Sequence, residues 1–249
     1  DEIASGTAGD GVNWVLDTDG TLTISGEGEI VVDWYAPPWE SYINDIYVVD
    51  IQEGITNIPA TAFCYAENLV SVNVPASVTN MSENDVSPFW NCFALQEINV
   101  HKDNVAYVSV DGVVFNADMS VLCYYPPNKA DSTYTIPSSV TTLATNSFNY
   151  TKNINSLTLP DTVTTLSNEC FGHAKIKSII LNNNITVIPS SCFSYSSLES
   201  IVIPDSVTSI GWNAFAYCSS LTSIVIPDSV TTIDYAAFSN CLSLTNIMF

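Results

Sequence analysis

The chain has 249 residues, 47% of them hydrophobic and 12% charged, with 26 acidic against 5 basic side chains and a formal net charge of −21. Apolar residues suffice for a large core, yet the uninterrupted apolar runs, such as Val113 to Phe115, fall far short of the roughly 20 residues that cross a bilayer. All five basic residues are lysines, so the clustered cations that hold nucleic acid or anionic lipid are missing, and a surface this acidic repels both polyanions.

The chain begins DEIASGTAGD without Met, so a signal peptide is expected outside the quoted sequence and the protein outside the cell or on its surface. In WVLDTDGTLTISGEG, alternating apolar residues flank Asp19-Gly20, the pattern of a β-hairpin, and residues 1–45 read as an N-terminal cap. Trp14, Trp34, Trp39 and Tyr42 are the rings that would cover the first coil. Asp17, Asp19 and Gly20 superficially suggest a calcium loop, but the third acidic ligand and the distal Glu are missing, and a hairpin turn explains them.

From Ile46 the chain repeats itself. Anchors fall at Ile55, Val78, Val140, Val163, Ile185, Val207 and Val230, mostly 22 or 23 residues apart. Three residues after each anchor stands another apolar residue, namely Ile58, Met81, Leu143, Leu166, Ile188, Ile210 and Ile233. Eight residues after it stands a phenylalanine, at Phe63, Phe148, Phe171, Phe193, Phe215 and Phe238, with Phe89 displaced by an insertion of three residues in SENDVSPF. Before each anchor an LxxIxI segment alternates as a strand does, and Pro75, Pro137, Pro160, Pro204 and Pro227 end these strands because proline donates nothing to a ladder. About nine such strands are countable, the first at Ile46 to Ile51. One coil is thus a strand, a turn, a return segment and a short helical turn around the Phe. A lone coil cannot bury its apolar residues, so the coils must stack. The expected fold is an α/β repeat solenoid, a leucine-rich-repeat right-handed superhelix with a parallel sheet and short helical turns over 46–249.

One gap between anchors is long. Residues 101–133 contain YVSV and VVF around Asp111-Gly112, which reads as a hairpin looping out of the solenoid. The seven cysteines form no CxxC pair. Cys92, Cys218 and Cys241 take the slot three after the Phe, and Cys170 and Cys192 replace the small residue just before it, so all five read as buried, unpaired core fillers. Cys64 and Cys123 stand off that ladder. His101 and His173 have no Cys or His at metal-ligand spacing, and no nucleophile–base pair is evident, so no metal, cofactor or catalytic residue is expected.

The residues from Leu198 to Cys241 match LxxIxIPxxVxxIxxxAFxxC almost letter for letter, a pattern similar to the BspA-type leucine-rich repeats of bacterial surface proteins. The resemblance covers roughly 46–249, weakens at the third coil and lacks the Cys at Ala66, Thr151, Ala174 and Ser196. It implies a non-enzymatic, secreted or surface-attached bacterial protein that acts by adhesion or protein–protein interaction. In such solenoids the exposed side of the sheet is the usual contact surface. Its central outward row runs Asp50, Asn73, Asn99, Thr135, Thr158, Ile180, Val202, Val225 and Met248, turning from polar to apolar. Beside it stand Ser178, Ser200 and Ser223. Ile180, Val202, Val225, Met248 and those three serines are the candidate partner-binding residues, the partner being a host or bacterial surface protein or a glycan. Strand propensity alone is the competing explanation of the β-branched row. A different class, a carbohydrate-binding module, would stack sugars on Trp34, Tyr35, Trp39 and Tyr42, and burial of those rings decides between the two. At the end, LTNIMF leaves Leu244, Ile247 and Phe249 without a covering coil, so self-association through this edge or further covering residues are expected.

Overall fold

A computed structural model describes residues 1–82 and 86–249; Glu83, Asn84 and Asp85, the insertion expected before Phe89, lie outside the described residues. The chain forms two compact units, residues 1–117 with 126–128 and residues 118–125 with 129–249.

In the first unit β1 (Glu2–Thr7), β2 (Val12–Asp17) and β3 (Thr21–Gly26) make an antiparallel meander, and β4 (Val48–Ile51), β5 (Ser71–Val74) and β6 (Glu97–Val100) then add to β3 in parallel. The hairpin expected around Asp19-Gly20 is β2–β3. Register follows the alternation: Leu22, Val49, Val72 and Ile98 align inward, while Thr23, Asp50, Asn73 and Asn99 align on the other side. Trp39 stacks on Phe63 at 5.5 Å between centroids, and Phe63 on Phe89 at 5.9 Å.

β7 (Tyr107–Val110) and β8 (Val113–Asn116) form the second hairpin. Asp111 (φ 49°) and Gly112 (φ 78°) are both left-handed, as a type I′ turn requires. The hairpin does not loop out. Ile98 donates its N–H to the Gly112 carbonyl at 3.0 Å, and a Cβ on Gly112 would lie 2.7 Å from the Glu97 Cβ. Val113, Val114 and Phe115 are fully buried, so the hairpin is part of the core.

The second unit begins with β9 (Val121–Tyr124), whose Leu122 aligns with Leu143 of β10 (Thr142–Leu143), which in turn pairs with β12 (Thr165–Leu166). The long gap between anchors therefore holds a coil of its own, and Tyr125 takes its spine position. The main strands are β11 (Ser156–Thr158), β13 (Ser178–Ile180), β15 (Ser200–Val202), β17 (Ser223–Val225) and β19 (Asn246–Met248). Ile179 pairs with Ile201 and Ile224 with Ile247, and β15 lies beside β17, so the inward isoleucines stack as the repeat requires. Thr135 lies outside any strand. The return segments β14 (Val187–Ile188), β16 (Ser209–Ile210) and β18 (Thr232–Ile233) make a further parallel ladder.

The expected helical turns are not helices. Among the described residues the one helical element is a 3₁₀ stretch at Glu40–Asp45, so the architecture is a β-solenoid and its α component is absent. The reason is local. In each coil with a spine phenylalanine in this unit the residues two before and two after it are left-handed: Asn146 and Tyr150, Glu169 and His173, Ser191 and Tyr195, Asn213 and Tyr217, Ala236 and Asn240. A positive φ every fourth residue stops helix propagation. It also turns the peptides so that every second N–H group points to the next coil. Glu169 donates to Ser190 at 3.1 Å, Phe171 to Cys192 at 2.9 Å and His173 to Ser194 at 2.8 Å, while the carbonyls of Asn168, Cys170 and Gly172 accept from Asn146, Phe148 and Tyr150 of the preceding coil. The rings follow this register, with Tyr125, Phe148, Phe171, Phe193, Phe215 and Phe238 stacked at 5.1–5.5 Å. In the last coil Ile233 and Ile247 are each 41% exposed.

Among the described residues no disulfide forms. The slot three after the Phe turns its thiol to a spine carbonyl one coil back: Cys218 Sγ donates to Phe193 at 3.0 Å and Cys241 Sγ to Phe215 at 3.0 Å, as Cys92 Sγ does to Phe63 at 3.1 Å in the first unit. Cys170 and Cys192 Sγ are in contact at 3.6 Å. Burial pushes the Cys64 and Cys218 thiols up to about 12 and raises Cys92 and Cys192 as well.

Two expectations follow for stability. These thiols stay neutral in the folded chain but ionise near 9.0 once unfolded, so the stability they contribute is full below pH 9 and is lost as pH rises toward 12. Urea midpoints should fall across that window, and less steeply for Cys218→Ser. Asn182 stands where other coils have proline, and its Nδ2 donates to the carbonyls of Pro160 (2.6 Å) and Val163 (2.8 Å) while its Oδ1 accepts from the Asn184 N–H. Asn182→Ala orphans these groups and should cost about 2 kcal/mol by urea denaturation, whereas Asn184→Ala, which loses one exposed bond, should cost well under half of that.

Candidate functional site

The candidate surface lies wholly in the second unit. Each main strand there contributes three residues in the order out, in, out, because Cβ vectors alternate along a strand. In-register pairing then lines up equivalent positions. Ser178 pairs with Ser200, and Ile180 with Val202; Ser223 pairs with Asn246, and Val225 with Met248. β15 and β17 are adjacent but belong to separate ladders, and the seven residues expected from the repeat take equivalent outward positions in two rows along them.

The apolar row is open to solvent: Ile180 is 59% exposed, Val202 81%, Val225 53% and Met248 44%. Their inward neighbours Ile179, Ile201 and Ile224 are buried. Ser178, Ile180, Ser200, Val202, Asn183 and Asp205 line an open depression of about 570 Å³. Hydroxyls, one amide and one carboxylate surround its apolar floor, and no histidine lines it. The surface can bury methyl groups and accept or donate hydrogen bonds at its edges.

Sequence reasoning missed two further surface columns. Three residues beyond the central outward positions Thr158, Ile180, Val202 and Val225, after the strand-ending Pro or Asn, stand Asp161, Asn183, Asp205 and Asp228, all exposed. The repeated PD dipeptide carried this signal. The second column is aromatic. Tyr150, His173, Tyr195 and Tyr217 occupy the left-handed position after the spine Phe and stack at 4.5, 4.6 and 4.3 Å between centroids. The recurring Y two after F was readable. Burial, helped by Lys175, lowers the His173 pKa, so it stands as a neutral ring in the stack.

The four rings expected of a glycan platform separate. Trp39 is fully buried on Phe63 and donates its Nε1–H to the Ala62 carbonyl at 2.9 Å. Tyr42 is half-buried against Trp14. Trp34 and Tyr35 are exposed but meet at 86°, which gives no flat surface for a sugar ring. Hydrophobic packing at the first coil took Trp39 and left the pair outside. His101 lines a separate depression with Glu53, Asn73 and Asn99 in the first unit.

Comparison with known proteins agrees with this architecture. The chain is similar over its full length to a leucine rich cell surface protein from Faecalibacterium prausnitzii A2-165, with 23% identity, a TM-score of 0.62 and 95% of that chain covered. It is similar to the pneumococcal vaccine antigen PcpA at 16% identity and a TM-score of 0.63, over 98% of this chain and 87% of that one. A leucine-rich repeat protein from Eubacterium ventriosum ATCC 27560 aligns with 22% identity and a TM-score of 0.53, over 99% and 85% of the two chains. These likenesses show the fold. No curated protein matches the sequence. The profile of the BspA type leucine rich repeat region matches residues 41–115 and 123–245 in six copies, and with its stacked phenylalanines, parallel ladders and strand-ending prolines the chain belongs to that family.

Proposed function

We propose that this protein is a non-enzymatic docking module, secreted or held at the surface of a bacterial cell, which binds a surface protein of a host or of another bacterium through Ile180, Val202, Val225 and Met248, with Ser178, Ser200 and Ser223 beside them. The observation that carries the reading is the exposed apolar row, in which backbone pairing fixes Ile180 beside Val202 and Val225 beside Met248, with β17 next to β15. The backbone of such a surface needs no ordering at the moment of binding, and each methyl-bearing side chain covered contributes roughly 1.5–3 kcal/mol before the cost of fixing its rotamer. Family membership and the net charge of −21 support a place outside the cell, where a strongly acidic surface keeps an apolar row soluble. Trp39 belongs to the packing and the exposed Trp34 and Tyr35 meet at 86°, which disfavours the glycan alternative.

Fluorescently labelled chain applied to epithelial and to bacterial cells tests this. Retention on one of them should fall at least tenfold for Val202→Glu and for Val225→Glu, with unchanged circular dichroism. Protease treatment of the cells should abolish it and glycosidase treatment should not. Retention that survives both substitutions refutes the docking role of the row.

A further inference from the structure

Resting on that docking reading, we infer that the segment seated on the strip is a basic amphipathic helix of about three turns. The spacing of the row points to a helix. Paired parallel strands lie about 4.8 Å apart, which sets Ile180 from Val202 and Val225 from Met248, and with β17 adjacent to β15 the four stand at roughly 0, 4.8, 9.6 and 14.4 Å along the stack. Helical positions i, i+3, i+7 and i+10 rise to about 0, 4.5, 10.5 and 15 Å and share one face. An extended segment would place same-side residues about 6.6 Å apart and lose register after two contacts.

The charge follows from the column beside the row. Asp205 lines the depression together with Ile180 and Val202; Asp228 is its equivalent in the next coil and Asp161 two coils earlier, with Asn183 between. All three are exposed, and among the described residues none has a lysine nitrogen within 4.0 Å, while Lys177 pairs with Glu199 at 3.2 Å. Lys or Arg at the edge of the helix's apolar face reaches Asp205 and Asp228, while an acidic helix meets like charge at both. The excess of 26 acidic over 5 basic residues steers the same partner from a distance.

Calorimetry with the full chain and three synthetic 18-residue peptides tests the inference: Leu and Lys in helical amphipathic order, the same with Glu for Lys, and the Leu–Lys composition scrambled. The ordered Leu–Lys peptide should bind, more weakly as salt rises. Asp205→Asn with Asp228→Asn should weaken it about tenfold and flatten the salt dependence, and Val202→Ser should weaken it about tenfold, both with unchanged circular dichroism. Equal binding of the scrambled peptide or of the Glu peptide overturns the inference, as does affinity indifferent to the paired Asp substitutions, because general acidity would then suffice. If those failures occur while Val202→Glu still abolishes retention on cells, the strip docks a partner of other chemistry and only this inference falls. If Val202→Glu leaves cell retention intact, the docking reading falls with it.

Discussion

The register between coils depends on a backbone conformation that side chains disfavour. An L-residue in the left-handed region costs about 1–2 kcal/mol, and each coil with a spine phenylalanine in the second unit accepts two, flanking that ring. What offsets the cost is collective. With the peptides so turned, three N–H groups per coil bond to the coil that follows, and the aromatic between them lands face to face on its neighbour. Every other regularity hangs on that stacking: the thiols aimed at spine carbonyls, the return ladder, and the alignment of outward residues into rows.

The parts of this that period and alternation dictate were legible in the sequence. Anchors 22 or 23 residues apart predict the stacking of Ile224 on Ile247, and the IxI alternation places Val202 outside and Ile201 inside. The left-handed residues were not legible, because tyrosine, serine, glutamate and alanine carry no sign of positive φ as glycine does. AFxxC looks like one turn of helix, with apolar residues three apart, and the flanking φ values undo that reading. The inserted hairpin was legible as a turn at Asp111-Gly112, but its burial depends on β6, far from it in the local pattern. Likewise Trp34 and Trp39 are five residues apart and equally aromatic; only the position of Phe63 decides which of them is buried. Tyr125 joins the spine from a segment that departs from the repeat, so no period could announce it.

The same frame separates binding from stability. Val202 and Ile201 are chain neighbours, yet one contributes to a surface and the other to the core, and in-register pairing repeats this division in each coil. The seven candidate residues can therefore change without a gap in the core, while a change at the inward row is felt by coils on both sides. The Asp column has the same freedom, since it stands beyond the end of each strand.

One consequence of the turn ladder is electrical. In a β-ladder successive peptide dipoles alternate and nearly cancel. In the turns of the second unit the peptides Asn168-Glu169, Cys170-Phe171 and Gly172-His173 all direct their carbonyls to the preceding coil and their N–H groups to the following one. Trp212-Asn213, Ala214-Phe215 and Ala216-Tyr217 do the same two coils later. Each peptide carries about 3.5 D, and here the dipoles add along the stack as they do along a helix. The unit thus has a polar axis, positive toward its later coils, generated by turns that contain no helix.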